Sequence, residues 1–302
     1  MCGLAGLVIG NKPRNKKDYE NIRSKFSSLM VATEIRGQHA TGAFVVNSTG
    51  IQYHKVALPA SEATQTKDWE SLMDAITDET VAVIGHVRYA TKGDPSENSN
   101  NHPIIMNNVI GVHNGVLYND CELCDKYPYE QEVDSAAIFS AIQYNAKRSR
   151  VSTETLKKVL PEIDGNFAVM LVDNRRTDSI FIARDGSRPL VYMKDEENKL
   201  LWLSSTGDIL RDGLDLPETV STTMIPAYSI ARLSGSHASK REIKYTFWKK
   251  VAVIKPVRSV RETFVSAMNI EDAVADDYFD QLLASTGLSL GDFAEDYEDA
   301  QN

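Results

Sequence analysis

The sequence predicts an α+β fold, a layered sandwich of sheets and helices, rather than a doubly wound parallel sheet. Strand-like runs come in blocks, helical periodicity is grouped between them, and there is neither strict strand–helix alternation nor an internal repeat. The 302 residues allow one large domain or two small ones, and either can bury a substantial core.

Apolar or alternating runs predict strands at 4–9, 42–47, 51–57, 81–86 and 109–113. Further strands are predicted at 166–173, 179–184, 189–193, 200–204 and 228–233. Helical periodicity marks 18–35, 67–76, 133–147, 153–161 and 206–213. The first helix puts Tyr19, Ile22, Phe26, Leu29 and Met30 on one face, with Asp18 as its expected N-cap. Pro256 and a cluster of bases in KKVAVIKPVRSVRETF (249–264) break the pattern. The expected division is therefore a main domain over 2–250 and a linker with an acidic tail over 251–302. In that tail Tyr278, Phe279, Leu282 and Leu283 share a helical face. It reads either as a solvated tail or as a partner-docking helix.

The net charge of −9 is uneven. Ten of the 42 acidic residues lie in 271–302, which has no Lys or Arg, and the rest nearly balance the 33 basic residues. Neither part has the basic stripe of a nucleic-acid binder. No run approaches the roughly 20 apolar residues of a membrane span. The apolar opening is short and lacks a basic flank or small-residue cleavage site, so it does not read as a signal peptide. Three cysteines make no disulfide framework, and a cytoplasmic, reducing setting is expected.

The chain opens MCGLAGLVIG. If Met1 is removed, the Cys2 thiol and a free α-amine belong to one residue. That amine, with an ordinary pKa of about 7.7–8.0, is basic enough to take the thiol proton. An isolated cysteine in a first strand would otherwise read as a small buried hydrophobe. In GHVRYATKGDPSENSNNHP (85–103) a strand ends at His86. Arg88 leaves it with a planar donor fork suited to a carboxylate, and Thr91 and Gly93 shape a turn. A long polar loop then runs to His102-Pro103. In VIGVHNGVLYN (109–119) a strand delivers Asn114 and Gly115 at its end, where a side-chain amide and a backbone N–H can hold an oxyanion. Asn-Gly after a strand is also an ordinary hairpin turn. Asp134, at the start of a helix, is in isolation an N-cap. The CELC stretch (121–124) is half of a zinc or redox motif, with His113 as a further ligand, or two ordinary loop cysteines; no second Cys pair exists.

Taken together and in order, these segments resemble the class II glutamine amidotransferases, N-terminal-nucleophile hydrolases whose glutaminase domain occurs in amidophosphoribosyltransferase and glucosamine-6-phosphate synthase. The matching stretches are MCGLAGLV, RGQHATGAFV, GHVRYATKGDPSENSNNHPI, VHNGVLYN, EVDSAAI, DGNFAVMLVD and ARDGSRPLVY, spanning residues 2 to about 205. The resemblance implies a four-layer αββα sandwich and L-glutamine as substrate, with no cofactor and no metal. It implies that Cys2 attacks the side-chain amide and that Asn114 and Gly115 form the oxyanion hole. Arg88 would grip the α-carboxylate with Thr91 assisting, Asp134 would hold the α-ammonium, and His102 would sit in a loop covering the site. Arg36 and Gly37 would support the nucleophile. A zwitterionic ligand needs one cation and one anion, spaced to bring its amide carbon to the thiol.

Lys92, His39 and Thr206 depart from the residues common in the best-known branches. RGQ and RYAT lean toward the phosphoribosyltransferase type, GDPSE toward the amino-sugar type. About 60–100 residues follow the glutaminase core, too few for a synthase domain. The expectation is a glutaminase subunit that supplies ammonia to a separate synthase or ligase subunit. A stand-alone amidohydrolase acting on γ-glutamyl or related amides and a non-catalytic glutamine-binding module are the alternatives.

Overall fold

Two antiparallel sheets lie face to face in the computed structural model, which describes residues 2–146, 149–239 and 241–249. These belong to one unit, Met1–Lys250. The expected linker and acidic tail over 251–302 lie outside the described residues.

In chain order the elements are β1 (Gly3–Ile9), α1 (Lys16–Thr33), β2 (Ala40–Asn47), β3 (Gly50–Val56), α2 (Ala60–Ala63), α3 (Lys67–Asp74) and β4 (Thr80–Arg88). Then come β5 (Ile104–Met106), β6 (Val109–Leu117), α4 (Asp120–Lys126), α5 (Ser135–Ala146), α6 (Thr153–Val159), β7 (Gly165–Asp173) and β8 (Arg176–Arg184). The chain continues with β9 (Val191–Asp195), β10 (Leu200–Ser204), α7 (Gly207–Leu214), β11 (Thr223–Met224), β12 (Ser229–Leu233) and β13 (Tyr245–Phe247).

One sheet has the order β11-β9-β10-β1-β4-β2-β3, the other β13-β12-β8-β7-β6-β5. Alternation along each strand divides its side chains between two faces. Leu4 and Val8 of β1, Phe44 of β2, Ile84 of β4, Val112 of β6 and Met170 of β7 fill the space between the sheets. Ala5 and Leu7 of β1 turn the other way, onto Phe26 and Leu29 of α1, Trp69 of α3 and Leu210 of α7. On the outer face of the second sheet Val169 and Leu171 pack with Phe139 and Ile142 of α5 and Leu156 of α6. The result is the four-layer αββα sandwich that the sequence implies.

Four expectations need correction. The N-cap of α1 is Asn15, whose side chain accepts from the Asp18 N–H at 3.1 Å, while Asp18 reaches back to the Asn15 N–H at 2.8 Å. Asp18 is thus the third residue of a capping box, and the helix starts two residues early. β4 does not end at His86 but carries Arg88 within it, paired with Ala40. β6 likewise runs through Asn114 and Gly115 to Leu117, because β7 offers Ala168 and Phe167 as ladder partners. CELC lies on α4, not in a loop.

Candidate active site

Gly3, the first residue of β1, pairs with Val87 of β4. One step further along this antiparallel pair, Cys2 meets Arg88. Leu4, opposite His86, points between the sheets, so alternation turns Cys2 and Arg88 toward that same face at its open end.

The nucleophile candidate is held from three sides. Its Sγ is 3.6 Å from the Tyr89 carbonyl. Arg36, at the end of the turn after α1, donates Nε–H to the Cys2 carbonyl at 2.8 Å. Gly37 packs on the Arg88–Tyr89 backbone, where a Cβ would lie 2.5 Å from the Arg88 carbonyl carbon. His39 continues this support: its N–H donates to the Arg88 carbonyl at 3.0 Å, and its Nδ1 accepts from the Ala90 N–H at 2.9 Å. In the sequence His39 stands out only as a departure from the residues common in the family.

Arg88 is buried, and its guanidinium is fixed by neutral oxygens rather than by a carboxylate. Nη1 donates to Asn101 Oδ1 at 2.8 Å, and Nη2 to the Lys92 and Gly93 carbonyls at 2.6 and 2.8 Å. Three of its five N–H groups are so engaged, and the fork keeps its full charge. Gly93 makes the turn with φ of 75°. Lys92 forms an ion pair with Asp120 of α4, tying the turn to that helix. Thr91 is exposed on the same turn.

Across the gap, Asn114 continues the inward face of Ile110 and Val112 on β6. It is 1% exposed, and its Nδ2 has no hydrogen-bond partner among the described residues. A buried unpaired amide costs about 1–3 kcal/mol. Its donor is therefore poised for an acceptor that forms in the site. At Gly115 a Cβ would stand 1.8 Å from the Asn166 carbonyl, so no other residue fits.

Asp134, just before α5, is buried and accepts from the Leu117 N–H at 2.8 Å. Its charge and that of Arg88 both reach Cys2. Burial pushes the thiol pKa up, Arg88 pulls it down and Asp134 adds to the rise, and the balance leaves it raised. The thiol therefore keeps its proton until a base removes it. Among the described residues no side-chain base bonds to Sγ. His86, His102 and His113 are buried and neutral, and burial pushes His86 down to about 3.

His102 does not lie over the site. It is buried and stacks on His86 with ring centroids 3.9 Å apart, and neither ring nitrogen has a hydrogen-bond partner among the described residues. His113 turns the other way, its Nδ1 2.8 Å from Ser135 Oγ, and is not near CELC in any bond. No group of three or more potential metal ligands exists among the described residues. A groove of about 1140 Å³ lies at the other end of β1, but its cations Lys12, Arg14 and Lys199 are engaged by backbone carbonyls. Asn101 is the contact that sequence reasoning missed, although it lies inside the quoted NSNNHP run.

A family model described as a glutamine amidotransferase domain matches residues 86–212. The glutamine–fructose-6-phosphate aminotransferase of Staphylococcus epidermidis is 28% identical over 196 residues, covering 63% of this chain and 30% of that protein. The 7-cyano-7-deazaguanine synthase 2 of Sulfurisphaera tokodaii is 28% identical over 263 residues, covering 84% of this chain and 53% of that protein. The chain thus spans only about a third to a half of these relatives. The glutamine phosphoribosylpyrophosphate amidotransferase of B. subtilis superposes with a TM-score of 0.58 at 19% identity, over 83% of this chain and 50% of that one. That likeness concerns the fold. No helix among the described residues is long and apolar enough to cross a membrane.

Proposed function

The chain belongs to the class II glutamine amidotransferases, and from that premise we propose that it hydrolyses the side-chain amide of L-glutamine and supplies the ammonia to a separate acceptor enzyme. The observation that carries the reading is the buried Asn114 Nδ2, without a partner among the described residues, on the same inter-sheet face as Cys2, whose thiol feels one cation, Arg88, and one anion, Asp134.

The free N–H groups of Arg88 take the α-carboxylate, with Thr91 at the mouth, and Asp134 takes the α-ammonium. The amide carbon then stands at Cys2. Removal of Met1 frees the Cys2 α-amine, which accepts the thiol proton as Sγ attacks. The new oxyanion receives hydrogen bonds from Asn114 Nδ2 and the Gly115 N–H. The ammonium returns its proton to the leaving nitrogen, and the C–N bond breaks to give ammonia and a Cys2 thioester. Water, deprotonated by the same amine, cleaves the thioester to glutamate and restores the thiol. Arg36 and Gly37 hold the nucleophile's backbone in place throughout. His102 packs beneath Arg88's strand rather than touching substrate. No cofactor or metal enters these steps.

We assign the glutaminase to 2–250 and the linker and acidic tail to 251–302. The low cysteine content supports a cytoplasmic setting. The names of the aligned relatives pair glutamine use with a synthetic reaction, which supports an acceptor for the ammonia. A diazoketone analogue of glutamine tests the reading. It is expected to alkylate Cys2 stoichiometrically, with protection by L-glutamine. Labelling elsewhere, or labelling indifferent to glutamine, would contradict it.

A further inference from the structure

Outside every chemical motif of the sequence, Lys55 sits on β3 with a half-buried ammonium. Its Nζ donates to the carbonyls of Asn101 at 2.8 Å and Pro103 at 3.0 Å, the two residues that flank His102. Its own carbonyl accepts from Asn98 Nδ2 at 3.0 Å. Lys55 therefore grips the 98–103 segment at three points. The Asn101 side chain is fixed in turn, donating to the Pro95 carbonyl at 2.7 Å and to Asn98 Oδ1 at 3.1 Å. That leaves Asn101 Oδ1 aimed at Arg88 Nη1.

A cation in this place is costly. Burial alone pushes its pKa down to about 8, with no anion among the causes to offset it. An apolar side chain would fill the same space without that cost. What an apolar residue lacks is the pair of N–H donors that bind the two carbonyls.

We propose that Lys55 is a positioning residue for glutamine recognition, acting through Asn101 to set the direction of the Arg88 guanidinium. This rests on the glutaminase reading above and adds to it a residue that touches no substrate atom. A displaced Asn101 lets the Arg88 fork rotate about its remaining bonds to Lys92 and Gly93. Carboxylate binding depends on the fork's orientation, whereas the thiol lies just before β1 and the oxyanion donors lie on β6. The effect therefore falls on KM, not on kcat.

The test is steady-state glutamate release by Lys55→Met, Asn101→Ala and the double variant, with thermal unfolding measured in parallel. Lys55→Met is expected to raise KM for glutamine about tenfold with kcat within twofold of wild type. Asn101→Ala carries the same defect, and the double variant is no worse than either single one, as for residues acting in series. Asn101→Ala also keeps the test open should Lys55→Met not fold. An active Lys55→Met or Asn101→Ala enzyme with wild-type KM overturns the inference, as do KM defects that multiply in the double variant. A wild-type chain without Met1 that neither binds nor turns over glutamine overturns the functional reading itself, and this inference with it.

Discussion

At the scale of single residues, the site separates binding from chemistry. In the proposed mechanism Asn114 donates only to the transition state, so Asn114→Ala is expected to lower kcat about 10²–10³-fold with little change in KM. Arg88 is proposed to grip the substrate carboxylate in the ground state through its fork, so Arg88→Lys should mainly raise KM for glutamine. An equal fall in kcat for both variants would contradict this division. The pH profile follows from burial. The imidazoles of His86, His102 and His113 are all depressed, and His86 lies near 3. They are already neutral where the enzyme works. The rising limb of kcat/KM then belongs to the Cys2 α-amine, whose ordinary range is about 7.7–8.0. A limb near pH 6 that disappears in His102→Asn would show that an imidazole is the base.

Among elements, β6 ties the second sheet to the chemistry. Asn114 and Gly115 pair with Ala168 and Phe167 inside the ladder, and the Asn166 carbonyl fills the space where a Gly115 side chain would be. Gly115→Ala should cost about 1–3 kcal/mol of stability as well as activity. Urea unfolding would measure it, and unchanged stability with lost activity would point to a purely chemical role. The sequence offers Asn114-Gly115 as a candidate oxyanion hole but not as strand interior. The same two residues spell a hairpin turn, and only the partner strand decides. For a related reason β5, β11, β13 and α2 were not legible: they span two to four residues, too few for a period, and form by pairing or packing with distant segments. Cys2, Arg88 and Asp134 could be singled out in the sequence only through the resemblance carried by the ordered motifs; taken alone they read as a buried cysteine, a loop arginine and an N-cap. Lys55 and Asn101 were not legible, because their roles consist of hydrogen bonds to backbone and side chain across the fold.

On the scale of the whole molecule, two depressed groups make stability rise with pH in two separate windows, one acidic and one alkaline. Burial raises the Asp173 pKa, but its pair with Arg175 and the Val151 N–H outweigh this and hold it below its ordinary 3.8. Its contribution is present above the unfolded value and lost as pH falls through the folded one. Asp173→Asn should therefore be most destabilising near neutrality and converge on wild type in strong acid. Lys55 is depressed from 10.5 to about 8. Between these values the unfolded chain holds the proton and the folded chain does not, so stability rises with pH there. That contribution is full above about 10.5 and lost as pH falls through about 8. Lys55→Met should thus lose more stability relative to wild type at pH 10 than at pH 7, and urea unfolding at the two values would check it. An equal loss at both would contradict burial of the ammonium.

The central claim is that Cys2 acts with its own amine. It is tested most directly by glutamate release from L-glutamine, with the N-terminus established by intact mass. A chain beginning at Cys2 is predicted to turn over, alone or once its acceptor enzyme is present, and to lose all turnover on Cys2→Ala. Full turnover by a chain shown to retain Met1, or by Cys2→Ala, would contradict the account.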